Sequence, residues 1–447
     1  MTDHLAVDGI ERLLSGAMSP EDRRSVLAHL VSGCPQCRSR AAQVVLGEAP
    51  DAQEADESES SEQALSRIIL RVRERELQLA GERAAAHELL PGLRLHPPAR
   101  RMTIVKNTLK FHTWGFCELV LEESWGCRYT NPAEGLHLAN LGIAAAQHLD
   151  LKRYGEALVE DMRARAFALL GNAHRVVSEL NQADAALTQA EAHLARGTGD
   201  PIERGRVLEL KGDLRTDQRR FDEALGLFDH ASLLYKRAGD LHLQARSLVC
   251  KGTLLGRSGD PAGATTALRQ SLDLIDAERD PRLLLAAQHN LVRFLNDQGE
   301  TREALELLAK TRPSYFALGD EMNLIRLQWL EGQLNLSLGK TDEAETLLLA
   351  VREAFIGKRI PYDVALVSLD LAAVYAEQAR TADMKRLAGE MLPIFQSLGI
   401  HREAIAAVLV FQQAAEMEAV SSGLIKELAA YFQRASKEPG LAFRAPA

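Results

Sequence analysis

The 447-residue sequence is poor in aromatic residues, in cysteine and in long apolar segments. Aromatic residues make up 5% of the chain, and the 46% that is hydrophobic consists mostly of Leu, Ala and Val, which favours helices over sheets. Five cysteines argue against a disulfide framework. The sequence has no apolar run of transmembrane or signal-peptide length, so we expect a cytoplasmic protein that does not enter a membrane.

An excess of positive charge is also absent. Lys and Arg total 53 against 62 Asp and Glu, and the net charge of −9 argues against nucleic acid as a partner of the whole protein. The motifs of common enzymes are missing as well: there is no Gly-x-Ser-x-Gly, and Gly339-Lys340-Thr341 lacks the first glycine of a phosphate-binding loop. We therefore expect a protein that is not an enzyme.

From about residue 155 onward the sequence repeats itself every forty residues. Each repeat contains two predicted helices. Glycines at the end of the first helix suit a left-handed cap, and threonines begin the second helix. Asp240 and Asp280 suit the N-cap position of first helices. The recurring residues are Ala224, Ala264, Ala304 and Ala344 within the second helices, Gly259, Gly299 and Gly339 at the turns, and Thr301, Thr341 and Thr381 after the turns.

Helix pairs with small residues at the positions of closest approach, as in GDLRTDQRRFDEALGLFDHA (212–231), resemble the tetratricopeptide repeat. The resemblance implies an all-α fold, a right-handed superhelical solenoid of tetratricopeptide-like helix pairs. HEAT-type repeats have a similar length and are the alternative. The small residues favour tetratricopeptide packing.

A possible metal site lies near the N-terminus, where a predicted helix ends at Gly33 and the chain reads His29-Leu-Val-Ser-Gly-Cys34-Pro-Gln-Cys37. This stretch resembles the zinc-binding anti-sigma domain, and the resemblance implies one zinc ion held by His29, Cys34 and Cys37. Two departures from the family are visible: four residues separate His29 from Cys34 instead of the usual three, and no upstream cysteine is present. The fourth ligand would be His4, Asp8, Glu11, a water or nothing.

The sequence predicts five segments. The acidic stretch before residue 64 lacks bulky apolar residues and is expected to be disordered. The segments are 1–46, a small helical zinc-finger-like domain; 47–63, an acidic disordered linker; 64–153, a basic helix and leading helical pairs; 154–437, the solenoid with C-terminal capping helices; and 438–447, a disordered tail.

Side chains of the first helices, repeated every forty residues, are expected to lie next to each other on the concave face. Guanidinium groups bind carboxylates through two hydrogen bonds, so a row of arginines there suits an acidic peptide or a C-terminal carboxylate. In the alternative interpretation, the arginines cover a solvated face and pair with Glu203 or Glu209. The candidate partner-binding residues are Arg165, Arg206, Arg246, His289, Arg293, Arg326 and Trp329.

These features together predict a bacterial regulatory protein that acts by protein–protein interaction. The resemblance of the zinc-finger-like domain (residues 1–46, the head) to anti-sigma domains implies that it sequesters a sigma factor. The solenoid groove would then bind a second partner. Two alternatives remain open at this stage. One is a general tetratricopeptide scaffold with a vestigial finger, and the other is a peptide-binding receptor.

Overall fold

The computed structural model describes residues 12, 13, 26, 37, 57–318, 321–397, 402–416, 419–435, 441 and 443. The regular structure of these residues is helical throughout, without a strand. The chain forms two compact units, Met1–Leu214 (unit 1) and Arg215–Ala447 (unit 2). None of the helices in the described residues combines the length and the hydrophobicity needed to cross a membrane.

In unit 1, from residue 57 onward, the first helix is long and packs on the third helix. The third and fourth, the fourth and sixth, and the sixth and seventh helices also pack together. Phe111, Trp114 and Phe116 lie in its core. The helices are α1 (Glu57–Arg94), α2 (Pro98–Asn107), α3 (Trp114–Cys127), α4 (Pro132–Gln147), α5 (Leu151–Tyr154), α6 (Glu156–Val176), α7 (Leu180–Leu194) and α8 (Pro201–Asp217), which continues into unit 2; a 3-10 turn covers Leu109–Phe111.

Helix α1 begins earlier than the sequence prediction. It begins at Glu57, so residues 57–63, which we assigned to a disordered linker, are helical. Acidic residues in the first turns of a helix are stabilised by its dipole, which offsets their mutual repulsion. At the other end α1 continues through Pro91 to Arg94. Leu90 and Leu93 are both buried there, and their packing offsets the backbone hydrogen bond that Pro91 cannot donate.

Unit 2 consists of alternating first and second helices. Each second helix from α11 to α17 packs against the first helix of its own repeat and against the first helix of the next, and α9 packs against α10. The C-terminal helix α19 packs against α16 and α18. The helices are α9 (Phe221–Ala238), α10 (Leu241–Ser258), α11 (Pro261–Leu272), α12 (Pro281–Asp297), α13 (Thr301–Leu318), α14 (Glu321–Ser337), α15 (Thr341–Gly357), α16 (Pro361–Glu377), α17 (Thr381–Ser397), α18 (Arg402–Glu416) and α19 (Ser422–Ala435).

The forty-residue period places small residues where the two helices of a repeat touch, as expected. Ala224, Ala264, Ala304 and Ala344 are all fully buried. A Cβ atom added at Gly252 would lie 2.8 Å from Cγ of Leu268. The same contact recurs at Gly171 against Leu187 and at Gly332 against Leu348. Larger residues at these glycines would push the helices apart, so the small-residue positions define the packing of the repeat.

The turns of the repeat also follow the sequence prediction. Asp240 accepts a hydrogen bond from the Leu243 backbone N–H at 2.9 Å, and Asp280 caps α12 in the same way. These carboxylates satisfy backbone donors at the starts of the helices. Gly259 follows α10 with φ of +95°, a left-handed conformation that glycine adopts without steric cost. The predicted helix starts at Thr301, Thr341 and Thr381 are confirmed.

Candidate functional site

The first helices of unit 2 form one continuous surface. Helix α10 contacts α12, α12 contacts α14, and α14 contacts α16, so equivalent side chains lie next to each other from one repeat to the next. We call the side-chain surface of α10, α12, α14 and α16 the unit 2 groove. Five of the seven predicted partner-binding residues belong to these helices: Arg246, His289, Arg293, Arg326 and Trp329.

A carboxyl group on α16 organises the middle of the groove. The indole Nε1 of Trp329 donates a hydrogen bond to Oδ2 of Asp370 at 2.6 Å, and Nε2 of Gln333 donates to the same oxygen at 3.0 Å. Burial raises the pKa of Asp370 to about 6, although the two hydrogen bonds act in the opposite direction. These bonds hold Trp329 at a fixed angle, with its ring edge-to-face against Phe355.

His289 lies beside this cluster and is neutral at physiological pH. Its Nδ1 is 2.8 Å from the hydroxyl of Tyr315, which is buried at the back of the groove. Burial, together with the neighbouring charges of Arg293 and Arg326, lowers the pKa of His289 to about 3. Nδ1 of this neutral imidazole is hydrogen-bonded to the tyrosine. Its Nε2 can therefore form one hydrogen bond with a ligand.

Arg293 and Arg326 are two of the predicted groove arginines, and their guanidinium groups are available to a ligand. Arg293 is half-buried on α12, and Arg326 is exposed on α14. Among the residues that the structure describes, neither guanidinium forms a hydrogen bond or an ion pair with a side chain. Each feels carboxyl groups only at longer range: Arg293 those of Asp297 and Asp370, and Arg326 that of Asp363. The donor sites of both forks are therefore open to a ligand.

The groove contains carboxyl groups as well as arginines. Burial raises the pKa values of Asp297 and Asp363, while Arg293 lowers the first and Arg326 lowers the second. Asn290 donates a hydrogen bond to the hydroxyl of Thr253 at 3.0 Å. Positive, negative and neutral polar groups thus line the same surface, which is the mixture that a peptide main chain and its charged groups can satisfy.

In unit 1, Arg165 and Arg206 have a different environment. Both pair with the buried carboxylate of Glu203, Arg165 most closely and Arg206 at 3.4 Å. Burial by itself would raise the pKa of Glu203, but the two arginine charges outweigh it and lower the pKa to about 2. Arg12 of the head forms an ion pair with Asp200 at 3.0 Å. The pairing with Glu203 is the alternative that the sequence left open for these arginines.

The predicted zinc ligands are only partly described. His29 and Cys34 lie outside the described residues. Cys37 lies within a helical turn and is fully buried. Among the described residues, which include Cys37 but neither His29 nor Cys34, no three His, Cys, Asp or Glu side chains cluster as metal ligands do.

Asp370 and Asp297 are groove residues that the sequence analysis missed. Asp370 stands forty residues after Leu330 and eighty after Asn290, in a column where no charge repeats. The only signal in the sequence was its position, one residue away from the column of His289 and Trp329. Extending each column into the last repeat and inspecting its neighbours would have included Asp370.

The fold is similar to those of several solved structures. A Rap protein complexed with Competence and Sporulation Factor matches with a TM-score of 0.54 and 12% identity, over 72% of this chain and 87% of its own. Aspartyl phosphate phosphatase F from Bacillus subtilis matches with a TM-score of 0.50 and 14% identity, over 90% of this chain and 96% of its own. At these identities the likeness shows the fold alone.

A tetratricopeptide repeat protein from Parabacteroides merdae is less similar, with a TM-score of 0.41 and 15% identity over 66% of this chain and 98% of its own. No protein-family model and no curated protein sequence matches the chain. The helix pairs, their packing and the first two solved structures agree on the fold: an all-α solenoid of tetratricopeptide-like repeats.

Proposed function

We propose that the protein is a non-enzymatic interaction module that binds a peptide segment of a partner in the unit 2 groove, with a carboxylate of the peptide on Arg293 and Arg326. The observation that carries the proposal is the pair of guanidinium groups without a hydrogen-bonded partner among the described residues. The solved Rap protein was complexed with Competence and Sporulation Factor, which supports a fold that can hold a partner.

A carboxylate fits these arginines better than other groups do. The guanidinium fork donates two parallel hydrogen bonds to the two oxygens of a carboxylate, and such charge-assisted bonds are stronger than neutral ones. Either an acidic side chain or a C-terminal carboxylate provides this geometry. The contrast with unit 1 supports the assignment, because Arg165 already has the carboxylate of Glu203 as its partner.

The remaining groove residues suit the rest of the peptide. Asp370 has one carboxyl oxygen engaged by Trp329 and Gln333, which leaves Oδ1 as an acceptor for a peptide N–H. The partly buried indole of Trp329 offers an apolar surface for a side chain next to it. A carboxylate at the arginines and main-chain donors at Asp370 would fix the direction of the peptide along the first helices.

Selection from a random peptide library with free C-termini, on the immobilised full-length chain, tests this function. We expect the selected peptides to contain an acidic residue or to depend on the free C-terminal carboxylate. Fluorescence anisotropy then measures the dissociation constant. Arg293→Gln combined with Arg326→Gln should weaken binding at least about tenfold, because removing one side of a buried charged contact costs about 2 kcal/mol or more.

The matched control is Arg302→Gln combined with Lys310→Gln, which removes two exposed positive charges from α13. Arg302 is highly exposed and pairs only loosely with Glu306 at 3.5 Å. The control should keep the wild-type dissociation constant, and far-UV circular dichroism should show unchanged helicity for all variants. Equal affinities for the double variant and the control would contradict the groove assignment. That result would direct attention to the scaffold alternative, in which other surfaces of the repeats hold the partners.

The zinc-binding head stays a prediction with its own test. If His29, Cys34 and Cys37 hold zinc, the full-length chain purified under reducing conditions should contain about one zinc per chain. Cys34→Ser should remove it, whereas Cys250→Ser, at a half-buried position of α10, should not. Wild-type protein without stoichiometric zinc would contradict the prediction.

Sequestration of a sigma factor rests on the resemblance of the head alone. Co-purification with the full-length chain, but not with a chain that begins at residue 64, is the expected result. A sigma factor that binds both forms equally would exclude the head as its binding site. The peptide measurements on the groove are independent of this outcome, since Arg293 and Arg326 are present in both forms.

A further inference from the structure

A cavity in unit 2 is lined by none of the predicted partner-binding residues. It has a volume of about 240 Å³ and lies between the turn from α8 to α9, the end of α10 and the C-terminal helix α19. This volume is several times the roughly 30 Å³ share of one water molecule in the liquid. Polar and charged side chains form much of its wall, among them Thr216, Asp217, Arg219, Arg257, Ser258 and Arg434.

The cavity wall is rich in positive charge. Three arginines face one aspartate, in a protein whose overall net charge is −9. Arg257 lies in the last turn of α10 and Arg434 in the last turn of α19, where cations are also stabilised by the helix dipoles. The helix dipoles explain why each arginine is stable at the end of its helix. They do not explain why arginines from separate helices line the same cavity. The hydroxyl of Thr216 lies in the same wall, whereas the hydroxyl of Ser258 donates its hydrogen bond to the backbone oxygen of Leu255 at 2.9 Å.

Arg219 occupies a backbone position that other repeats give to glycine. Its φ is +61°, and the residues forty, eighty and one hundred and twenty positions later are glycines in the same left-handed region. The other non-glycine residues at this turn position, Ser178 and Ala379, have small side chains. Any residue with a Cβ atom bears a steric cost in this conformation, and such strain is often found at functional sites. The guanidinium lies 5.6 Å from the ring centre of Phe221.

The amphipathic helix α19 forms another wall of the cavity. Its apolar side, with Ile425, Leu428 and Phe432, is buried in the core of unit 2. Arg434 is exposed and reaches the cavity from the other side of the helix. Packing of the apolar side therefore fixes which side chains α19 presents to the cavity.

We infer that this cavity is a binding site for a small ligand with a multivalent phosphate group, held by Arg219, Arg257 and Arg434. Arginine forks match the oxygens of phosphate in two-point fashion, and a positively charged concave wall raises the local concentration of anions. The cavity is smaller than the 300–1,000 Å³ typical of drug-sized ligands, so about one or two phosphate groups fit its size. The inference is independent of the peptide proposed for the groove.

Isothermal titration calorimetry of the full-length chain with pyrophosphate and with inorganic phosphate tests the inference, at constant ionic strength adjusted with chloride. Citrate titrated under the same conditions separates phosphate from carboxylate recognition. We expect saturable binding of pyrophosphate with one site per chain, weaker binding of phosphate, and at least about tenfold weaker binding of citrate. Absence of saturable pyrophosphate binding, or citrate binding as tight as pyrophosphate, would overturn the inference.

Variants show whether the pyrophosphate binding measured by calorimetry takes place in this cavity. Arg257→Gln and Arg434→Gln should each weaken pyrophosphate binding at least about tenfold, since each removes a charge-assisted contact. Arg386→Gln, which removes an exposed charge on α17, is the matched control and should bind like wild type. Equal weakening by all three variants would mean unspecific attraction to positive charge and would refute the site.

Arg219→Gly separates a ligand-binding role from a structural one. It introduces the residue that three other repeats have at this left-handed position, so the apoprotein should melt at the same or a higher temperature. Pyrophosphate binding should nevertheless be at least about tenfold weaker. A lower melting temperature together with unchanged affinity would show that Arg219 supports the fold and does not hold the ligand.

Discussion

Replacing Gly252 by Ala tests the close packing of the helix pair, on which the solenoid depends. Gly252 lies in α10, and its position is repeated at Gly171 and Gly332. A Cβ atom there would lie 2.8 Å from Cγ of Leu268 and 3.1 Å from the backbone oxygen of Ala264, against an optimum of about 3.5–4.0 Å between carbon atoms. Leu268 is fully buried, so its side chain has no open space to enter.

Two opposing effects determine the magnitude. Ala is favoured over Gly inside a helix by about 1 kcal/mol. An extra methyl group in a tightly packed contact costs about 1–3 kcal/mol, because side chains and backbone must shift. The backbone oxygen of Ala264 belongs to α11 and cannot move without the helix, so the cost should fall in the upper part of that range. We expect a net loss of about 1 kcal/mol, or about 2–4 °C in melting temperature for a unit of this size.

Gly226→Ala is the matched control. Gly226 is also inside a helix, α9, but a Cβ atom there meets nothing within 4 Å. It should therefore raise the stability by up to about 1 kcal/mol, through helix propensity alone. Urea denaturation of both variants, followed by far-UV circular dichroism, gives the sign of each change. If Gly252→Ala stabilised the protein as much as Gly226→Ala does, the two helices would not be in the contact described here.

Three further predictions concern caps, charges and pH. Asp240→Ala removes the N-cap of α10 and should cost about 1 kcal/mol in urea denaturation, with Asn in its place restoring most of the loss. Arg165→Met leaves the buried Glu203 without its closest partner and should cost about 3 kcal/mol; adding Glu203→Leu should recover much of it in a double-mutant cycle. Burial raises the folded-state pKa of Asp370 to about 6, above the value of about 3.9 in an unfolded chain. Protonation of this carboxyl therefore stabilises the folded state fully below about pH 4, and the stabilisation is lost as the pH rises through about 6. Relative to Asp370→Asn, the wild type should lose at most about 3 kcal/mol of unfolding free energy across this window, and a difference that does not vary with pH would contradict the assignment.

The features that were predicted from the sequence are those fixed by neighbouring residues. Helix starts at Thr301 and Thr341, the caps at Asp240 and Asp280, and the left-handed turn at Gly259 each depend on a few adjacent residues and recur with the period. Small residues at the closest approach of two helices also repeat, because the packing distance repeats. A sequence period therefore predicts both the backbone conformation at the turns and the buried contacts between the helices.

Polar contacts between repeats were not predictable in the same way. The pairing of Arg165 with Glu203, 38 residues away, was one of two alternatives that the sequence left open, and the pairing of Trp329 with Asp370, 41 residues away, was missed. The period shows that such side chains are neighbours, but the choice among rotamers and partners depends on the local surroundings of each pair. The start of α1 at Glu57 was missed for another reason: its composition is typical of disorder, and the fit of acidic residues to a helix N-terminus was not weighed against it.

Site-specific photocrosslinking tests the central claim, peptide binding in the unit 2 groove, most directly. A photoreactive residue at Ala286, which has in α12 the position of Arg326 in α14, would lie in the groove, and one at Lys310 on α13 would lie on a second helix; both positions are exposed. With a labelled peptide from the library selection, we expect a crosslinked adduct from position 286 that excess unlabelled peptide abolishes, and none from position 310. A competable adduct from position 310, without one from 286, would contradict the account.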